Sequence, residues 1–229
     1  MSSPERSDAY GRMAAGSPPI GRRPISGQRR ASWRPPIQND PAHHLADLER
    51  GTTMATALAF FDALPPVSLD EMTGSWGGHG VPTGHPLDSL LERFGWHGKR
   101  VDSPEDVHPL VFDAGNGALT CIDPARLPVG LALRIPWLVN TPVVARLFRL
   151  ARPLLRARKP AARLRMTEHR GVLTATMIYD ALPIVDVFRK VDDTTVLGVM
   201  DLRGLDQPFF FTLRREPHAS RPAQHAPFR

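Results

Sequence analysis

The stretch Gly74-Ser75-Trp76-Gly77-Gly78 places one large aromatic side chain among glycines. Glycines let neighbouring backbone come very close, because they carry no Cβ. A tryptophan in this setting is typical of a packed plug at the end of a β-structure, where its ring is buried and its N–H finds a partner. We therefore expect Gly74 and Gly78 to be structural residues and Trp76 to close one end of a mainly β domain.

Downstream, the residues from Arg163 onward follow a period of two. Leu164 and Met166 alternate with charged residues, and turn residues separate the later runs. Those runs are 172–179, 185–191, 195–201 and 208–213. Five strand-like runs joined by tight turns predict an antiparallel meander. Such a sheet must curl, close or be covered to protect its edges. The predicted fold class is therefore mainly β with flanking helices, an antiparallel barrel or a strongly curled meander.

Three helices are predicted beside the strands. Residues 53–63 are rich in good helix formers and stop at Leu64-Pro65-Pro66. A second helix is expected from Pro86 to Phe94. A helical insert is expected at 142–158, where aliphatic residues occupy one side and arginines the rest. The aliphatic residues of that insert are Val143, Leu147, Leu150, Leu154 and Leu155.

The chain divides by composition into a domain and two tails. Residues 1–50 are rich in Pro and Arg and have no apolar period, so we expect a disordered basic tail. Residues 51–216 are expected to form a single barrel-like domain, with the meander at 163–215. Residues 217–229 are expected to be a second disordered tail.

Charge and cysteine content restrict the class of protein. The net charge is +6 and the pI is about 10.4. Much of the arginine, however, lies in the N-terminal tail and in one later segment. A nucleic-acid partner is therefore not favoured. A single cysteine, Cys121, excludes an internal disulfide and suits a cytoplasmic location. The most apolar run, 131–150, contains Arg134, Arg146 and Arg149, so no membrane span of about 18 apolar residues is predicted.

Two blocks of the sequence resemble a known family. GSWGG followed by TGHPLDSLLERFGWHGKR resembles the bacterial GXWXG-domain family, over a half spanning 64–112. The block ARLRMTEHRGVLTATMIYDALPIVDVFRKVDDTTVLGVMD resembles the domain of unknown function that usually follows it. This resemblance implies no established activity.

More remotely, G-x-W on a first strand is similar to the signature of calycin barrels, including lipocalins and haem-binding nitrobindin-like proteins. That resemblance implies that Trp76 closes one barrel end and that an arginine of the last strand packs on it. Strand alternation selects Arg215, which shares a face with Phe209 and Phe211. We expect Arg215 within about 6 Å of the Trp76 ring.

A barrel of this kind predicts a pocket for an apolar or amphipathic ligand. Met177 and Tyr179 share a strand face and are expected to point inward, opposite Thr174 and Thr176. Methionine and aromatic residues suit a cavity that accepts variable ligands. The expected ligand-binding residues are Trp76, His85, Trp96, Met177, Tyr179, Asp180, Phe188, Met200 and Phe211.

No catalytic or metal motif accompanies the predicted pocket. His79, His85, Asp88, His97 and His108 could supply imidazole and carboxylate ligands, but their spacing matches no metal motif, so no metal site is predicted. A haem held by one axial imidazole stays open as a cofactor. The sequence contains no G-x-S-x-G elbow, P-loop or dinucleotide-binding turn, so no catalytic residue is assigned.

These observations favour a small-molecule binding protein and leave two alternatives. The first is a small enzyme that acts on the same ligand through His85, Tyr179 and Asp180. The second is a membrane-surface or protein-interaction module that uses the basic segment 146–165. Polar side chains that converge in a cavity would favour the enzyme, and a purely apolar lining would favour the carrier.

Overall fold

The computed structural model of the chain describes residues 40–115, 117–128, 130 and 141–217. The helices are α1 Pro41–Leu48, α2 Met54–Ala63, α3 Leu90–Arg93 and α4 Pro142–Leu155. The strands are β1 Gly74–Gly80, β2 Trp96–Ser103, β3 Asp106–Gly115, β4 Ala118–Cys121, β5 Ala162–His169, β6 Val172–Tyr179, β7 Ile184–Lys190, β8 Thr195–Leu202 and β9 Phe209–Arg215. Among these described residues, no helix is long and apolar enough to cross a membrane.

The strands form one antiparallel sheet that closes into a ring. Strands β5 to β9 pair in chain order, β9 pairs with β1, β1 with β2, and β2 with β3. The ring closes between β3 and β5 through the pair Val107 and Ala162, while β4 lies beside β3. This arrangement confirms the predicted fold class and the predicted meander, because closure removes most unpaired strand edges.

Alternation along the strands separates two apolar cores. Phe209 and Phe211 lie in the ring interior, whereas Phe210 between them lies in an outer core with Phe61 of α2. Met177 and Tyr179 belong to the interior core, as predicted. Thr174, on the opposite face, is also fully buried, because its hydroxyl accepts the Val67 N–H and donates to the Phe188 carbonyl. The outer face of the sheet is therefore covered as well.

Helix α1 corrects the prediction that residues up to 50 form a disordered tail. The Asp40 side chain accepts the Ala42 N–H at 3.1 Å, and Pro41 occupies the first turn. Leu45 and Leu48 are then buried in the outer core. Two leucines were enough to attach this segment to the sheet, although it lacks a longer apolar period. The rest of the predicted tails, 1–39 and 218–229, lies outside the described residues.

Two helix predictions also need correction. The helix expected from Pro86 begins only at Leu90, because Ser89 has a left-handed backbone with φ 61° and the Asp88 carboxylate accepts the backbone N–H groups of the preceding turn. Helix α4 ends at Leu155 and not at the expected residue 158, and it continues through Pro153. Most of its aliphatic side faces solvent, since Leu150 and Leu154 are 73% and 76% exposed.

The Trp76 ring closes one end of the sheet, with Arg215 stacked on it. The Arg215 guanidinium lies 4.3 Å from the ring centroid, which confirms the predicted contact. Trp76 Nε1 donates to the Met72 carbonyl at 2.8 Å. A Cβ at Gly74 would lie 2.9 Å from Arg215 Nη1, and a Cβ at Gly78 would lie 2.2 Å from the Trp96 ring. Gly74 is required by its left-handed backbone, with φ 130°, and Gly78 by the close approach of the Trp96 ring.

We expect Trp76→Ala to lower the free energy of unfolding by about 3–5 kcal/mol, because it opens a cavity that rigid backbone cannot fill. Arg215→Met, which removes only the cation, should cost about 0.5–2 kcal/mol. Urea denaturation followed by circular dichroism measures both values. Leu119→Ala, at a half-exposed position, is the control and should change little. A Trp76→Ala protein as stable as the wild type would contradict the role of Trp76 as the closing residue.

Candidate ligand-binding site

A cavity of about 480 Å³ extends from the ring interior to the layer formed by α3 and α4. Its volume lies within the range of about 300–1,000 Å³ that small-molecule sites occupy. The lining residues are Leu87, Leu90, Leu91, Phe94, Trp96, Lys99, Leu110, Phe112, Leu127, Pro128, Val144, Leu147, Phe148, Ala151, Tyr179, Leu182, Ile184, Asp186, Met200, Leu202, Phe209 and Phe211. Leu147 of α4 lines the cavity and is 58% exposed, so the cavity reaches the surface there.

A buried ion pair lies among these apolar side chains. Lys99 Nζ on β2 is 2.7 Å from Asp186 Oδ2 on β7, and both side chains are almost fully buried. The same ammonium donates to the Tyr179 hydroxyl at 3.1 Å and to the Pro109 carbonyl at 3.2 Å. An ammonium has three N–H groups, so these partners use all of its donors. Lys99 is therefore satisfied by the protein itself.

Three aromatic rings surround the Lys99 ammonium. Nζ lies 4.9 Å from the Phe211 centroid, 5.5 Å from that of Tyr179 and 5.7 Å from that of Trp96. The negative faces of such rings attract a cation most strongly where water is absent. Among the residues that the structure describes, Asp186 is the acidic side chain that pairs with the Lys99 charge.

Two polar atoms at this site have no hydrogen-bond partner among the described residues. They are Asp186 Oδ1, which can only accept, and Trp96 Nε1, which can only donate. Leaving such atoms unpaired in a protein interior is costly. Burial, followed by the Asp186 charge and a side-chain hydrogen bond with Asp186, raises the pKa of Tyr179 well above its usual value. Tyr179 thus keeps its proton beside Asp186. Trp96 and Asp186 are left with one unpaired donor and one unpaired acceptor in the cavity wall.

The cavity contains four of the nine expected ligand-binding residues: Trp96, Tyr179, Met200 and Phe211. Trp76, Met177 and Phe188 are in the interior core but do not line the cavity. In the structure they pack inside the ring, and a role for them in ligand binding stays a prediction. His85 and Asp180 also lie outside the cavity lining.

His85 and Asp180 are held away from the cavity by other contacts. His85 packs on Phe209 with its Nε2 at 3.2 Å from the Gln207 carbonyl, and burial lowers its pKa. Asp180 is exposed and pairs with Arg163 at 3.2 Å, because it follows the last residue of β6 and turns outward. Of the three groups proposed for an enzyme, only Tyr179 lines the cavity.

The histidines that the structure describes lie outside the cavity. His79 lies near Glu92, His97 pairs with Glu216, and His108 lies near Asp106. None of the described histidines lines the cavity, so a haem there would lack the axial imidazole on which that option depended. Asp102, Asp106 and His108 do place one ligand atom each within 4.8 Å of one another. Arg100, at 3.0 Å from Asp102, already neutralises part of that group.

Lys99 is a functional candidate that the sequence did not indicate. Asp186, shortly before Phe188 in sequence order, is by contrast an expected polar group at the pocket mouth, because Ile184, Asp186 and Phe188 share one face of β7 and the other two are core residues. Lys99 was hidden, because the pairing of β2 with β3 shifts register around Gly98. A register shift breaks the simple alternation by which a buried lysine would be recognised.

We expect Lys99→Met to lower the free energy of unfolding by about 3–5 kcal/mol, since it leaves the Asp186 carboxylate buried without a cation. The double variant Lys99→Met/Asp186→Leu should recover most of that loss, because it removes both charges. Thermal denaturation of the wild type, both single variants and the double variant gives the coupling. Additive losses in the double variant would contradict a paired buried charge.

Comparison with known proteins finds two consecutive family matches, and both stretches contribute strands to the one closed sheet. Residues 59–117 match the family described as GXWXG protein, and residues 160–215 match the domain of unknown function DUF4334. A crystal structure of a protein from Thermomonospora curvata is similar to this chain, with 29% sequence identity and a TM-score of 0.58. The similarity covers 78% of this chain and 100% of that one. No curated protein matches the chain. The remoter likeness to calycin barrels stays a prediction.

Proposed function

We propose that this chain binds a neutral amphipathic small molecule. The chain carries a GXWXG domain followed by a DUF4334 domain, and neither name specifies an activity. The apolar part of that molecule occupies the cavity, and a hydroxyl, carbonyl or amide group reaches the Lys99–Asp186–Tyr179 cluster. The unpartnered Asp186 Oδ1 in an otherwise apolar cavity carries this proposal. A cytoplasmic location remains part of the prediction.

The charge of the cluster favours a neutral ligand over an anionic one. The Lys99 and Asp186 charges cancel, and all Lys99 donors have protein partners. A carboxylate ligand would therefore bring an uncompensated charge into a dry site beside Asp186, which is strongly unfavourable. A ligand hydroxyl instead donates to Asp186 Oδ1 and accepts from Tyr179 or Trp96. The proposed ligand class is thus a long-chain or ring alcohol, ketone or amide.

Competition with a fluorescent probe tests this ligand class. N-phenyl-1-naphthylamine, a neutral apolar fluorophore with one N–H, should become brighter on binding. We expect decan-1-ol to displace it at a concentration about tenfold or more below that of decanoate, because only decanoate adds a buried charge. Tyr179→Phe should weaken decan-1-ol binding by about 2- to 10-fold through the lost hydrogen bond.

Matched variants connect this binding to the cavity. Met200→Trp fills the cavity and should abolish the fluorescence change, whereas Met166→Trp, at an exposed position of β5, should retain it. Decanoate that competes as well as decan-1-ol would contradict the neutral ligand. Equal binding by the two tryptophan variants would contradict the site.

A second candidate function is proton transfer next to a carbonyl group. A buried carboxylate with a free oxygen can remove a proton from the carbon beside a ketone, while Tyr179 donates a hydrogen bond to the resulting enolate oxygen. The proton then returns from Asp186 to carbon. Three polar side chains, Lys99, Asp186 and Tyr179, converge in the cavity, which favours this candidate. Lys99 and Asp186 take the roles that His85 and Asp180 had in the sequence-based hypothesis.

Hydrogen exchange in a ketone distinguishes the enzyme from the carrier. Decan-2-one incubated with the protein in D₂O should acquire deuterium beside its carbonyl faster than with the Lys99→Met/Asp186→Leu variant, as followed by NMR. Equal exchange rates for the two proteins, with decan-2-one still bound to the wild type, would contradict the proton-transfer function and would agree with ligand binding alone.

A further inference from the structure

Helix α4 presents an apolar stripe to solvent. Val143, Leu147, Leu150 and Leu154 are between 58% and 76% exposed. Their spacing of four, three and four residues places them on one face of the helix. A continuous row of four exposed aliphatic side chains is unusual on a protein surface and marks a contact site.

The opposite face of α4 is fixed to the sheet, so the stripe cannot be explained as an undocked core face. The Arg152 guanidinium lies over the Phe112 and Phe148 rings, at 5.7 and 5.4 Å from their centroids, and donates to the Phe94 and Asp113 carbonyls. Phe148 also packs at 5.0 Å from Phe94. An arginine and a phenylalanine thus anchor the helix, and the larger part of its aliphatic surface faces outward.

The charge around the stripe has a single sign. Between Thr141 and Thr167 the sequence has eight Arg or Lys and no Asp or Glu. Arg146 and Arg149 of α4 are exposed, and neither has an ion-pair partner among the described residues. Apolar side chains bordered by arginines are typical of helices that lie in the interface of anionic membranes.

The same helix forms part of the cavity wall. Val144, Leu147, Phe148 and Ala151 line the cavity, and Leu147 belongs to the exposed stripe as well. The stripe and the cavity opening therefore meet at one side chain. A molecule that leaves a bilayer beside Leu147 would enter the cavity without crossing bulk water.

We propose that α4 lies on an anionic membrane surface and that the cavity exchanges its ligand with that membrane beside Leu147. The occupant of the stripe is the lipid bilayer. The exchange step rests on the proposed function, whereas the membrane contact depends only on α4.

Flotation of the full chain with lipid vesicles tests the membrane contact. The protein should float with vesicles that contain phosphatidylglycerol and much less with pure phosphatidylcholine, and salt should release it because the arginine contribution is screened. Leu150→Ser/Leu154→Ser changes exposed residues that do not line the cavity and should reduce flotation by about tenfold or more. Arg146→Gln/Arg149→Gln should reduce it mainly on anionic vesicles.

Matched controls use exposed residues far along the chain from α4. Leu173→Ser on β6, which is 58% exposed, and Arg203→Gln should float like the wild type. Equal flotation on neutral and anionic vesicles, or an equal effect of the control variants, would overturn the proposal. So would a wild-type dimer that the serine variant converts to monomer without any vesicle binding, since a second copy would then cover the stripe.

Transfer of N-phenyl-1-naphthylamine separates this proposal from the proposed function. Wild type should take the probe from anionic vesicles faster than Leu150→Ser/Leu154→Ser does, while both bind it equally in solution. Equal uptake rates would overturn exchange at α4 and leave the binding function intact. Vesicle binding without any probe binding in solution would instead overturn the binding function and keep the membrane contact.

Discussion

Closure of the sheet at β1 determines the rest of the structure. This strand pairs with β2 on one side and with β9 on the other, and its one buried side chain, Trp76, is covered by Arg215. Inside the closed ring the Lys99 and Asp186 side chains are almost fully buried, and an ion pair interacts more strongly there than in water. The chemistry of the cavity thus depends on a contact between the first and the last strand of the ring, although Trp76 does not line the cavity.

The parts of the fold that follow local rules could be predicted from the sequence. Strands β5 to β9 have a period of two with clear turns, and alternation along β9 was sufficient to select Arg215 as the partner of Trp76. Helix α1 was missed, because two leucines leave too weak a period. Which face of α4 packs on the protein was left open for another reason. The periodicity shows that a helix is amphipathic, but it does not show which face packs on the protein.

The candidate site was harder to predict because its polar residues come from distant strands. Trp96, Tyr179, Met200 and Phe211 were expected from their residue types, and all line the cavity. The Lys99–Asp186 pair joins residues 87 positions apart, and neither residue belongs to a motif. His85 and Asp180 looked equally suitable in sequence, yet local contacts with Gln207 and Arg163 hold them elsewhere. The pairing of the strands in the closed sheet is needed to show that Lys99 and Asp186 are buried side by side.

The close approach of Gly78 to the Trp96 ring links the family motif to the size of the cavity. A Cβ at residue 78 would lie 2.2 Å from that ring, and the ring is part of the cavity wall. A relative with a larger residue at this position must either shift its aromatic wall into the ligand space or replace it with a smaller side chain. The two positions should therefore vary together among relatives. The motif by which the family is recognised thus also limits the width of the cavity in this chain.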